Sequence, residues 1–156
     1  MERRTKVRAE DGKQEIWIDR EFEIPLESLF KAFVEPRIVE QWMGTKVMDL
    51  DDGPLGRYRF KTTDPKGNIH LFTGCIHESV PYKKITRTFK MENTGFPVQL
   101  EYLEFGALGE KRSKLNMQVV YKSVEVRDQV LKLPFVQGIN WAHDRLQEVL
   151  DKLEQT

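Results

Sequence analysis

Residues 24–44 read IPLESLFKAFVEPRIVEQWMG, an amphipathic helix cut in two by a proline. Leu26, Leu29, Phe30, Phe33 and Val34 recur at helical spacing behind Pro25, which opens a helix where its missing N–H costs nothing. Pro36 disfavours helical geometry at Glu35 and starts a second helix. The apolar face of that second piece is Ile38, Val39, Trp42 and Met43, and Gly44 supplies the left-handed residue that stops it. The segment predicts two short helices meeting at a corner, each with one face that needs cover.

Upstream, QEIWIDREFEI (14–24) alternates. Ile16, Ile18, Phe22 and Ile24 share one face with Arg20, and Trp17, Asp19, Glu21 and Glu23 share the other, which predicts a strand. Downstream come six strand-like runs separated by turn residues. They begin with TKVMDL and the acidic turn DDGPLG. GRYRFKTT follows, with Tyr58 and Phe60 on one face, and DPKG is its hairpin turn. NIHLFTGCIHESV carries apolar residues on both faces and is expected to be central. KITRTFKME places Ile85, Arg87, Phe89 and Met91 together. PVQLEYLEF and KLNMQVVYK form a last hairpin joined by GALGEK, with Leu115, Met117, Val119 and Tyr121 on one face. A short helical piece, VEVRDQVLK, precedes Pro134. The chain closes with a long helix whose stripe is Phe135, Ile139, Ala142, Leu146, Val149 and Leu153.

The 156 residues are enough for one domain with a sizeable core, and no linker or repeat divides residues 1–156. Lys plus Arg equals Asp plus Glu at 25 each, so net charge gives no reason to expect nucleic acid or an anionic membrane as partner. The basic MERRTKVR has no apolar core of a secretory signal; it reads as a loose end or the start of an edge strand. No apolar run is long enough to span a membrane. The single cysteine, Cys75, excludes an intramolecular disulfide and fits a cytoplasmic location.

An α+β order of strand, two short helices, antiparallel meander and long helix resembles the helix-grip fold of the START and birch-pollen-allergen superfamily. In that fold a curved sheet of six or seven strands wraps the C-terminal helix. The motifs are similar to those of one branch, the C-terminal domain of the activator of the heat-shock-protein-ninety ATPase, within the polyketide cyclase or SRPBCC group. They are Ile24-Pro25, Glu35-Pro36, Trp42, the Gly56-x-Tyr58-x-Phe60 strand, Asp64 to Gly67, Gly74, Pro81 and the FVQGINWAHDRLQEVL helix. Three features depart from the pattern: Gly138 and Trp141 are separated by Ile139-Asn140, Arg87 replaces an apolar residue, and the last strand lacks a terminal His.

The resemblance implies a cavity between sheet and long helix that holds a hydrophobic or amphipathic small molecule. Phe60, Phe72, Phe89, Met117, Tyr121, Phe135 and Ile139 are expected to line it, and Trp42 either walls it or fills the core. Arg20 and Arg87 lie on apolar strand faces. An unpaired buried guanidinium is costly, so either one of them anchors an acidic ligand, or they pair with Glu101 or Glu104, or their stems snorkel to the rim. His143 borders the helix stripe as a pocket residue or a core histidine.

Cys75 and His77 share a face without His70, too few ligands for zinc, and no metal or cofactor is expected. With no catalytic motif present, a non-enzymatic binder leads. A cyclase-like enzyme using Tyr102, Tyr121 or His143 is the alternative. Chaperone activation ranks third, because the activator's N-terminal domain has no counterpart here. A homodimer is compatible with all three.

Overall fold

A computed structural model describes residues 4–155; Met1, Glu2, Arg3 and Thr156, and with them the first part of the basic N-terminal stretch, lie outside the described residues. The elements are β1 (Lys6–Arg8), β2 (Glu15–Phe22), α1 (Leu26–Val34), α2 (Pro36–Met43), β3 (Lys46–Leu50) and β4 (Gly56–Thr63). There follow β5 (Ile69–Val80), β6 (Lys84–Met91), β7 (Gln99–Gly109), β8 (Arg112–Val120), α3 (Val124–Lys132) and α4 (Phe135–Glu154). One antiparallel sheet holds all eight strands in the order β1-β2-β8-β7-β6-β5-β4-β3. The expected six or seven strands become eight because Lys6–Arg8 pairs with β2 as an edge.

Alternation sets the faces. In β2, Ile16, Ile18, Arg20 and Phe22 are buried, and in β8 Ser113, Leu115, Met117 and Val119 are. The two strands pair with Ile16 opposite Val119 and Phe22 opposite Ser113, so these side chains form one inner surface under α4. At roughly 1.5–3 kcal/mol for each fully buried large apolar side chain, this surface is the main driving force for closing the sheet over the helix.

The corner after β2 is as the prolines dictate. Glu35 is extended at φ −92°, Pro36 starts α2, and Gly44 ends it at φ 62°. Phe33 lies between Trp42 (ring centroids 5.2 Å apart) and Phe105 (5.4 Å), and Phe30 meets Phe105 at 5.0 Å. This aromatic cluster seals one end of the grip. α2 packs on α4, and Arg145 Nε of α4 donates to the Gln41 carbonyl at 2.8 Å.

Two expectations are corrected, and a third, the interior place of β5, holds. The stripe of α4 is rotated, with His143, Leu146, Gln147 and Leu150 buried and Leu153 exposed. Strand β5 lies inside the sheet, but only Ile76 of it is fully buried. The last hairpin is longer than expected, β7 running through Gly109 into a tight turn at Glu110-Lys111.

Candidate functional site: an apolar cavity at the open end of the grip

The space between sheet and α4 is filled by side chains at the aromatic end and open at the other. At the N-terminal end of α4 a cavity of about 150 Å³ remains. Its walls come from four places. Phe89 and Met91 end β6, Phe96 and Pro97 lie in the following loop, Val126 and Val130 project from α3, and Leu133 and Phe135 make the α3–α4 corner. Ser123 holds α3 in place, its Oγ accepting from the Val126 N–H at 3.2 Å as an N-cap. The i, i+4 spacing then puts Val126 and Val130 on one face.

Two polar groups reach this space, Gln99 and Tyr121. Behind Gln99 lies an ion pair buried on the inner sheet face. Glu101 Oε1 accepts from Arg87 Nε at 2.9 Å and Glu101 Oε2 from Gln99 Nε2 at 2.8 Å. The Arg87 guanidinium also lies 5.4 Å from the centre of the Tyr58 ring. Burial works against its charge, but Glu101 and Tyr58 more than offset this and raise its pKa. The charge beside the cavity is thus already neutralised. Burial, with Glu101 adding to it, raises the Tyr121 pKa, so that phenol stays protonated. Among the described residues neither the Tyr121 hydroxyl nor Gln99 Oε1 has a protein hydrogen-bond partner. One donor and one acceptor therefore face an apolar space.

A second polar cluster ties α4 to the other edge of the sheet. Arg20 Nη2 donates to Asp144 Oδ1 at 2.8 Å, and Nη1 reaches Thr5 Oγ1 and Asn140 Oδ1, both at 3.3 Å. Thr5 Oγ1 lies 2.8 Å from His143 Nδ1, and the Thr5 N–H donates to Asn140 Oδ1 at 3.0 Å. The Glu23 N–H donates to Gln147 Oε1 at 2.9 Å. Burial, followed by the Arg20 charge, pushes His143 down to about 3; it is a neutral structural imidazole.

The expected lining residues divide accordingly. Phe89, Tyr121 and Phe135 meet at the cavity. Phe72 lies behind it, stacked on Phe89 at 5.4 Å, and Ile139 is half-buried against the core. Phe60 and Met117 are core residues. Trp42 is buried in the core, with Nε1 donating to the Ala32 carbonyl at 2.6 Å. Arg87 pairs with Glu101 as one alternative held, while Arg20 takes Asp144 rather than Glu101 or Glu104 because α4, not β7, faces it. The groups considered for acid–base work do not converge: Tyr102 is exposed on the outer sheet face, Tyr121 is at the cavity and His143 is in the polar seam. Sequence reasoning missed Met91, Phe96, Pro97, Gln99, Val126, Val130 and Leu133. The valine pair on a short helix and the apolar FPV run ahead of β7 were the available signals. No group of three or more metal-ligating side chains occurs among the described residues.

Comparison with known proteins agrees with the architecture. The family profile described as "Activator of Hsp90 ATPase homolog 1-like protein" matches residues 23–151. Among curated proteins no sequence matches significantly. A crystal structure from Rhodobacter sphaeroides superposes with a TM-score of 0.85 at 20% identity, covering 96% of this chain and 99% of that one. A crystal structure from Mycobacterium smegmatis gives 0.83 at 22% identity, covering 94% and 96%. A solution structure from Arthrobacter aurescens gives 0.85 at 14% identity, covering 94% and 91%. At these identities the likeness is one of fold.

Proposed function

Because the chain belongs to the activator of Hsp90 ATPase homolog 1-like family, we propose that it binds a small, uncharged, mainly apolar molecule in the cavity at the N-terminal end of α4. That family fits ligand binding or a co-chaperone-like role, and the observation that favours the first is the cavity itself. An apolar void of roughly 150 Å³ is enough for one benzene-sized ring. The neutralised Arg87–Glu101 pair argues against a carboxylate ligand, since no uncompensated positive charge faces the space. The Tyr121 hydroxyl and Gln99 Oε1 suit a single hydroxyl on the ring, which accepts from the first and donates to the second, whereas a ring N–H donates to Gln99 Oε1 alone. The protein acts as a carrier or sensor, because the three side chains considered for proton transfer lie apart.

The test is a titration of isotope-labelled protein with p-cresol and with indole, with benzoate as the charged control, following amide shifts. Saturable shifts centred on Phe89, Gln99 and Val126 to Phe135, stronger for the neutral probes, are expected. Absence of saturable shifts there with either neutral probe defeats the proposal.

A further inference from the structure

The outer face of the sheet carries a second, unrelated concavity. A groove of about 640 Å³ crosses the strands from Met48 on β3 to Val98 just ahead of β7. Its floor is low because Thr73, Gly74, Cys75 and Thr88 are small. At Gly74 the β5–β6 ladder opens. No Cα pairing is made between Thr73–Lys90 and Ile76–Arg87; instead the Cys75 N–H donates to Thr88 Oγ1 at 3.0 Å, and the Tyr58 hydroxyl donates to the Thr88 carbonyl.

The walls are cationic although the chain as a whole is neutral. Strand register sets one row across the outer face: Asp49, Arg59, Thr73 and Lys90. Asp49 is already engaged by Arg57 Nε at 3.0 Å. One row further along, Lys46 stands directly opposite Lys61, a like-charge pair that costs stability. Among the described residues Lys46, Arg59, Lys61 and Lys90 have no carboxylate partner. At its two ends the groove is apolar, Met48 and Val98 being 50% and 49% exposed.

We infer that this groove docks an extended acidic segment of another protein, its carboxylates set against Arg59 and Lys90 and its apolar side chains against Met48 and Val98. Charge complementarity carries the choice of occupant. From β3 to β7 is four strand spacings, about 19 Å, the reach of about six extended residues. The groove is open along this length, whereas small-molecule sites enclose most of their ligand. Tyr58 lines it but is 1% exposed, too buried to serve as a platform on which a single-stranded nucleic acid would stack. The inference does not depend on the ligand proposed for the inner cavity.

The test uses a fluorescein-labelled peptide alternating Leu and Glu, its Leu/Gln counterpart, a 20-nucleotide RNA and phosphatidylserine vesicles, with the intact protein. Saturable anisotropy change with the Leu/Glu peptide is expected. It should weaken at least tenfold between 50 and 500 mM salt, and at least tenfold in Arg59→Glu/Lys90→Glu. Both positions are on the outer face, and an unchanged circular dichroism melt verifies that the variant is folded. A single Lys90→Glu variant, expected to lose a smaller part of the affinity, serves if the double variant does not fold. No saturable binding of the Leu/Glu peptide, equal binding of the Leu/Gln peptide, undiminished binding by the charge-reversed protein, or binding of RNA or vesicles in place of the peptide each overturns the inference.

Discussion

Arg87 shares a strand face with Ile85 and Phe89, and Glu101 on the neighbouring strand makes that position tolerable. The pair is directly cross-strand in register, and Gln99 occupies the second carboxylate oxygen. Removing only the cation leaves a buried, uncompensated carboxylate. Arg87→Met is therefore expected to cost about 3–5 kcal/mol, with most of it recovered in Arg87→Met/Glu101→Leu; urea unfolding of the two variants checks this. Gly74 is the other residue whose environment dictates its identity. A Cβ there would stand 2.1 Å from the Thr88 carbonyl oxygen and 2.4 Å from the Tyr58 ring and hydroxyl. Gly74→Ala should lower stability by about 1–3 kcal/mol or more, read from the thermal midpoint. That the two inward arginines were anomalous was legible in the alternation, and so was a carboxylate partner for Arg87. The partner of Arg20 was not, because Asp144 lies on a helix 124 residues away and no local pattern links the two.

Among the elements, the α1–α2 corner was the most legible, since Pro36 and Gly44 act on the backbone directly and need no tertiary context. Helix α4 was the least. Its expected stripe assumed that only apolar residues face inward, yet Asn140, His143, Asp144 and Gln147 bind the β1–β2 edge. The buried face is therefore turned away from Leu153. One flank of α4 is thus held by hydrogen bonds while its N-terminal end borders the cavity. Helix α3 escaped notice as a wall because its one fully buried residue is Arg127, whose Nη1 donates to the Glu10 and Glu15 carbonyls. Filling the cavity from α3 separates stability from binding. Val130→Phe is expected to raise the melting temperature by a few degrees, as a gain of about 1 kcal/mol would, and to abolish the p-cresol shifts; calorimetry and the same titration measure both.

Across the whole molecule, the buried neutral His143 couples stability to pH. Its folded pKa of about 3 lies below the ordinary histidine value of 6.5, so between these limits the unfolded chain binds one more proton than the native one. The contribution is complete above pH 6.5 and is lost as pH falls toward 3, with a slope of about 1.4 kcal/mol per pH unit. Urea unfolding at pH 7 and pH 5 should show this slope, and His143→Gln should flatten it by about one proton. The same cluster joins Thr5 to His143 across 138 residues, and β2 finds its long partner in β8. Strands β3 to β8 form a meander that can assemble in order as the chain is made, but β2, α1 and α2 cannot be completed until β8 exists. During translation the aromatic corner and one edge of the meander therefore wait uncovered for about 100 residues of further synthesis. This is a window in which the nascent chain depends on whatever shields apolar surface at the ribosome.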